Sequence, residues 1–288
     1  MTTQDIIKKV RELEIKSKRL TTHLFTGEYH TAFKGRGMLF KEVRDYTPGD
    51  DPRFIDWNVS ARMSHTYTKV FEEERELSVY LLIDISSSNL FGTYRQSKKD
   101  MITEICAVIA FSAIANNDKV GLIFFSDEVE KFIPAKKGRD HVLYMVREML
   151  TFEPQSCHTE VVKALRFLNN TTRHKSIVFL LSDFADAGYN DALRVAAKKH
   201  DVIGVQVYDK RDKQLPPVGL VQVRDAETGK MALLDTNDPF TRQKYQQQHQ
   251  QIFDDAKLTF RKAGADLLQI STGEDFVKIL QQFFIRRA

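Results

Sequence analysis

The stretch Val79-Tyr80-Leu81-Leu82-Ile83-Asp84-Ile85-Ser86-Ser87-Ser88 decides how the chain is read. Its first five residues are apolar without alternation, the pattern of a strand covered on both faces, and its second half turns polar at once. Working outward, runs of the same kind follow at Val120 to Phe125, Ile177 to Leu181 and Val202 to Val207, with Leu267 to Ile270 as a shorter one. Between the first two runs, Met101, Ile102, Ile105, Ile109 and Ile114 fall near helical spacing, and similar crossovers occupy Val161 to Leu168 and Asn190 to Lys199. Each is long enough for a right-handed βαβ unit. The alternation predicts an α/β fold: a doubly wound, mostly parallel sheet.

Other segments attach to this frame. Glu128 to Ala135 alternates, and Leu220 to Leu234 turns at Asp225-Ala226-Glu227-Thr228-Gly229, so both are expected as hairpins at an edge or appended to the sheet. Phe240 to Arg261 reads as a long helix with a polar, Gln-rich face, and Phe276, Ile279, Leu280 and Phe283 mark a closing helix. Ile6, Val10 and Leu13 predict an opening amphipathic helix docked on the rest of the chain. Gly27 to Phe71, rich in Gly, Pro, Arg, Asp and aromatics, lacks helical periodicity. The expected division is therefore a helix and loop/strand-rich module over residues 1–75 and the sheet domain over 76–288. Trp57 is expected as a core anchor between the two. Arg44, Arg53 and Arg62, interleaved with Asp45, Asp50, Asp51 and Asp56, read equally as a partner surface or as paired charges holding the module together.

With 42% apolar and 28% charged side chains, disordered and fibrous classes are excluded. The 43 basic and 39 acidic residues leave a net charge of +4, too little to argue for nucleic acid without a local patch. Cys106 and Cys157 can build neither a disulfide framework nor a four-cysteine zinc site, which fits a reduced, cytoplasmic chain. Lys, Arg and Glu break every apolar run in the first twenty residues, and no later run reaches membrane-spanning length; no transmembrane span is expected, and a peripheral membrane position is the lesser reading. There is no G-x-x-x-x-G-K-[ST], H-E-x-x-H, G-x-S-x-G or C-x-x-C. Neither a nucleotide site nor catalysis is expected.

The polar half of the opening stretch carries the chemistry. In open parallel sheets ligands bind outside the carboxyl ends of strands where the strand order reverses, and Asp84, Ser86 and Ser88 follow a strand directly. Together they offer one carboxylate and two neutral hydroxyls. Asp183 ends a second apolar run, and Thr159 precedes a helix that it caps or from which it reaches the same point. Hard oxygen donors of this kind suit Mg²⁺ or Mn²⁺.

The pattern Asp84-x-Ser86-x-Ser88, then Thr159, then Asp183 resembles the metal-ion-dependent adhesion site of von Willebrand factor A domains. Upstream, Glu42-Val43-Arg44-Asp45-Tyr46, Pro48-Gly49-Asp50-Asp51, Arg53-Phe54-Ile55-Asp56-Trp57 and Ser60-Ala61-Arg62 are similar to the signature of a bacterial family called domain of unknown function fifty-eight. The resemblance covers most of the chain from Gly35 onward. It implies a metal set of Asp84, Ser86, Ser88, Thr159 and Asp183, no established reaction, and a MoxR-type AAA+ ATPase as partner, which would contribute an acidic residue to the ion. Two departures stand out: Cys157-His158 precede Thr159, and Phe184 follows Asp183, where many A domains carry glycine. Their bulk is expected to shield the ion. A metal-dependent hydrolase such as a phosphatase, and a structural domain with an empty site, are the alternatives.

Overall fold

The computed structural model describes residues 3–24, 39–72, 77–86, 97–224 and 231–287. In chain order the elements are α1 (Thr3–Leu24), β1 (Leu39–Asp45), α2 (Trp57–Met63), β2 (Tyr67–Glu72), β3 (Ser78–Asp84), α3 (Lys98–Ala115), β4 (Lys119–Phe125), β5 (Val129–Lys136), α4 (Arg139–Thr151) and α5 (Val161–Thr171). They continue with β6 (Ile177–Ser182), α6 (Asn190–Lys199), β7 (Asp201–Tyr208), α7 (Lys210–Lys213), β8 (Leu220–Arg224), β9 (Met231–Asp235), α8 (Pro239–Ala263), β10 (Asp266–Ser271) and α9 (Phe276–Arg287). The chain divides into two units, one holding α1 and everything from Leu77 onward, the other running from His30 to Glu76.

The larger unit is built on a six-stranded sheet ordered β10-β7-β6-β3-β4-β5. All neighbours are parallel except β5, which runs antiparallel along β4 at one edge. The doubly wound, mostly parallel sheet read from the alternation is present. Its strands lack polar alternation because helices cover both faces: every residue of β6 is buried, and Leu81, Leu82, Leu122, Phe179 and Val205 are wholly enclosed. From β3 the chain steps outward to β4 and β5, then returns past β3 to lay down β6, β7 and β10 on the other side. The order therefore reverses between β3 and β6, and the carboxyl ends of those strands carry Asp84 and Ser182.

The expected boundary at residue 75 put α1 with the N-terminal module, whereas the helix packs within the sheet unit. Ion pairs tie it there alongside its apolar stripe. Glu14, almost fully buried, takes a fork from Arg139 at 2.6 and 2.8 Å, Lys16 pairs with Glu104 at 2.6 Å, and Lys9 pairs with Asp100.

In the smaller unit β1 and β2 pair antiparallel, from Asp45 opposite Tyr67. Two of the three arginines are paired: Arg44 donates to Asp50 at 2.8 Å and Arg53 to Asp51 at 2.6 Å, both on the surface. Asp56 instead caps α2 by accepting from the Asn58 and Val59 amides. Trp57 is 70% exposed, which corrects the expectation of a core anchor. As the first residue of a seven-residue helix whose entry is set by the Asp56 cap, it projects outward.

Candidate metal centre

Asp84 is the last residue of a central strand, paired with Phe125 of β4 while the ladder to β6 ends one residue earlier at Ile83, and it is carried into a desolvated position, 1% exposed. One carboxylate oxygen accepts from the Ser86 amide at 2.9 Å, which turns the chain sharply as it leaves β3. The other accepts from the Ser182 hydroxyl at 2.6 Å, tying the ends of β3 and β6 together across the reversal point. Asp183 follows directly; its carboxylate accepts from the Ala185 amide at 3.2 Å, and its backbone carbonyl is held by the Gln206 amide group at 2.7 Å.

Burial, first, and the neighbouring Asp183 charge, second, push the Asp84 carboxyl up to about 7. The hydrogen bonds from Ser182 and Ser86 work in the opposite direction and are outweighed. Either a proton or a cation relieves this arrangement. The two lysines that open α3 are committed elsewhere: Lys98, buried, pairs with Asp212 at 2.6 Å. Lys99 donates to the Phe152 carbonyl at 3.1 Å, and burial holds its own pKa down.

Thr159 does not cap α5. Glu160 occupies that position without a side-chain bond, and the Val161 amide is satisfied by the Asp186 carboxylate at 3.0 Å, from the loop beyond β6. The Glu160 amide donates to the Ser126 carbonyl at the end of β4, so the Thr159 segment is pinned between the end of β4 and the loop after Asp183. There the Thr159 hydroxyl is buried and has no hydrogen-bond partner. An orphaned buried hydroxyl costs free energy unless something not yet bound takes its lone pair. Ser86 is buried beside Asp84, and Ser88 lies outside the described residues. Among the described residues no group of three or more His, Cys, Asp or Glu is placed to hold a metal ion, so any cation here leans on hydroxyls. The donor set of two carboxylates and neutral oxygens fits a hard divalent cation.

The expected shielding is corrected at Phe184. Its backbone adopts φ +55°, the left-handed region that glycine enters freely, and this turns the ring into the core, 2% exposed, edge-on to Phe260 at 5.0 Å between centroids. His158 and Cys157 are exposed. Two functional positions escaped the sequence reading. Ser182 was adjacent to a chosen residue, yet only strand order could reveal that it faces Asp84, and Asp186 serves a helix 25 residues upstream.

The family model described as protein of unknown function DUF58 matches residues 42–252. The uncharacterized protein Mb1516 of Mycobacterium bovis is 30% identical over 281 residues, covering 96% of this chain and 88% of its own. Among solved structures, the conserved hypothetical protein BatB of Bacteroides thetaiotaomicron aligns over 73% of this chain and 98% of its own, at 17% identity and a TM-score of 0.47. Proximal thread matrix protein 1 of the mussel byssus, in a form with a zinc-occupied MIDAS motif, aligns over 74% of this chain and 47% of its own, at 15% identity and a TM-score of 0.39.

Proposed function

The chain belongs to the family described as protein of unknown function DUF58, and from that premise we propose that it is a non-enzymatic protein-binding module whose metal site takes a carboxylate from a partner protein. The observation that carries this reading is the buried Asp84, pushed up to about 7 first by burial and then by the Asp183 charge; a buried Thr159 hydroxyl with no hydrogen-bond partner, on a segment held to Ser126 and Asp186, supports it. Asp84, Ser86, Ser88, Thr159 and Asp183 are the residues that would hold Mg²⁺ or Mn²⁺. Bound there, the cation supplies an electrophilic coordination position that two carboxylates leave unsaturated. Ser182 restrains the Asp84 carboxylate through its hydrogen bond, and the Ala185 amide does the same for Asp183.

The partner proposed is a MoxR-type AAA+ ATPase contributing a Glu or Asp, with the smaller unit supplying a second surface. The test is the affinity of this chain for its purified MoxR-type ATPase, with and without EDTA, in wild type and Asp183→Ala. The reading expects each treatment to weaken binding and the two together to add nothing, since both remove the same ion. Equal affinity in all four measurements contradicts it.

A further inference from the structure

The two ends of the sheet carry opposite chemistry. At the amino ends of the strands stands a row of exposed cations: Arg173 and Lys175 in the loop entering β6, Lys198 in the last turn of α6, Arg261 and Lys262 in the last turn of α8, and Arg286 near the end of α9. Topology forces them together. Strands β6, β7 and β10 are parallel neighbours, so the segments that enter them, and the helices ending there, converge on one edge.

A cation at a helix C-terminus has an ordinary explanation, the favourable field of the terminal carbonyls. Lys199 illustrates it, its amine donating to the Asn169 and Thr172 carbonyls at the end of α5. Arg286 does so in part, through the Gln282 carbonyl. The other five side chains make no hydrogen bond or ion pair with any described residue. Among the described residues, the acids at this edge are engaged elsewhere: Asp201 and Asp266 share Arg287, at 2.6 and 3.3 Å, and Asp118 is buried on the Leu77 amide at 2.9 Å. The exposed Asp140 belongs to α4, which follows the opposite edge strand, β5. Among the described residues this edge is therefore positive, which a net charge of only +4 for the chain conceals.

We propose that this edge docks on a membrane surface of anionic phospholipid headgroups. The distribution favours lipid over nucleic acid. The cations come from four separate segments and form a spread of point charges, with no exposed aromatic among them for bases to stack on. The helices reach this edge with their C-termini, so none offers backbone amides to a phosphate or a flank to a groove. What remains is diffuse attraction to a charged plane, which several lysines and arginines supply without a shaped pocket. The geometry also suits the larger unit. β3 has seven residues, about 23 Å of strand, between this edge and Asp84, so docking by the basic edge leaves the carboxyl-end site turned away from the bilayer.

The test is sedimentation of the full chain with vesicles of phosphatidylglycerol mixed into phosphatidylcholine, against pure phosphatidylcholine vesicles and a duplex oligonucleotide. Binding is expected only with the anionic vesicles, weakening steeply with added salt. The double variants Arg173→Glu/Lys175→Glu and Arg261→Glu/Lys262→Glu are expected to lose it, and the neutral pair Arg261→Gln/Lys262→Gln to weaken it by about fivefold per cation removed. Lys278→Glu, at the other end of α9, serves as a charge-reversal control away from this edge and is expected to bind like wild type. Circular dichroism on each variant separates lost binding from lost folding. Equal pelleting with neutral vesicles, wild-type binding by folded charge-reversed variants, or tighter binding to the oligonucleotide would each overturn the proposal.

Discussion

Phe184 shows how a single residue can look obstructive in sequence and be structural in the fold. Its left-handed backbone stores strain that glycine would not, while its ring fills the core against Phe260 and Tyr189. The lost ring outweighs the relieved backbone, so Phe184→Gly is expected to destabilise the protein by roughly 2–4 kcal/mol in urea unfolding while leaving Mg²⁺ affinity unchanged. A gain in affinity would restore the shielding role. Asp84 gives a second prediction. Its folded pKa, about 7, lies above the ordinary carboxylate value of about 4, so the metal-free folded state holds a proton that the unfolded chain releases. That contribution to stability is fully present below about pH 4 and is lost as pH rises towards about 7. Relative to wild type, Asp84→Asn should gain stability as pH rises from about 4 to about 7 without added metal; parallel pH profiles for the two proteins would contradict the assignment. Asp84 was legible in the sequence because an acid that ends an apolar run marks a strand end. Ser182 and Asp186 were not, because their partners lie 98 and 25 residues away.

At the scale of elements, the parallel strands were the most readable part of the chain. Burial on both faces removes alternation and leaves unbroken apolar runs, and the long Gln-rich helix likewise announced itself by its polar face. The association of α1 with the sheet unit was hidden, since the decisive contact, Glu14 with Arg139, joins residues 125 apart. Packing between α8 and the sheet was equally silent. In β7, Gly204 leaves the space into which the Phe260 ring projects; a Cβ there would come within 2.5 Å of that ring. The ring is wholly buried among Tyr189, Phe184 and Ala256 and has little room to retreat. Gly204→Ala should therefore cost about 1–3 kcal/mol by overpacking, despite the lower chain entropy of alanine in the unfolded state. Unchanged stability in thermal unfolding would mean that α8 shifts freely on the sheet. At the sheet edge, Lys131 on β5 pairs with Glu148 on α4, and Pro134 removes a ladder donor, both of which discourage pairing with another chain.

Over the larger unit, the strand order concentrates two chemistries at opposite ends of the sheet, and neither is visible in composition. The carboxyl ends gather Asp84, Ser86 and Asp183, while the amino ends gather cations whose neighbouring acids are already paired. The account rests on the first of these. Burial and the neighbouring Asp183 charge both disfavour an ionised Asp84, a strain that the proposed cation would relieve. Isothermal titration of Mg²⁺ or Mn²⁺ into the chelator-treated chain at neutral pH tests that most directly. The account predicts a single saturable site in wild type, abolished in both Asp84→Ala and Asp183→Ala, and weakening tenfold for each pH unit below about 7 as one proton competes with the ion. No heat of binding at millimolar metal in the folded wild-type protein, or a site that persists when both aspartates are replaced, would contradict it.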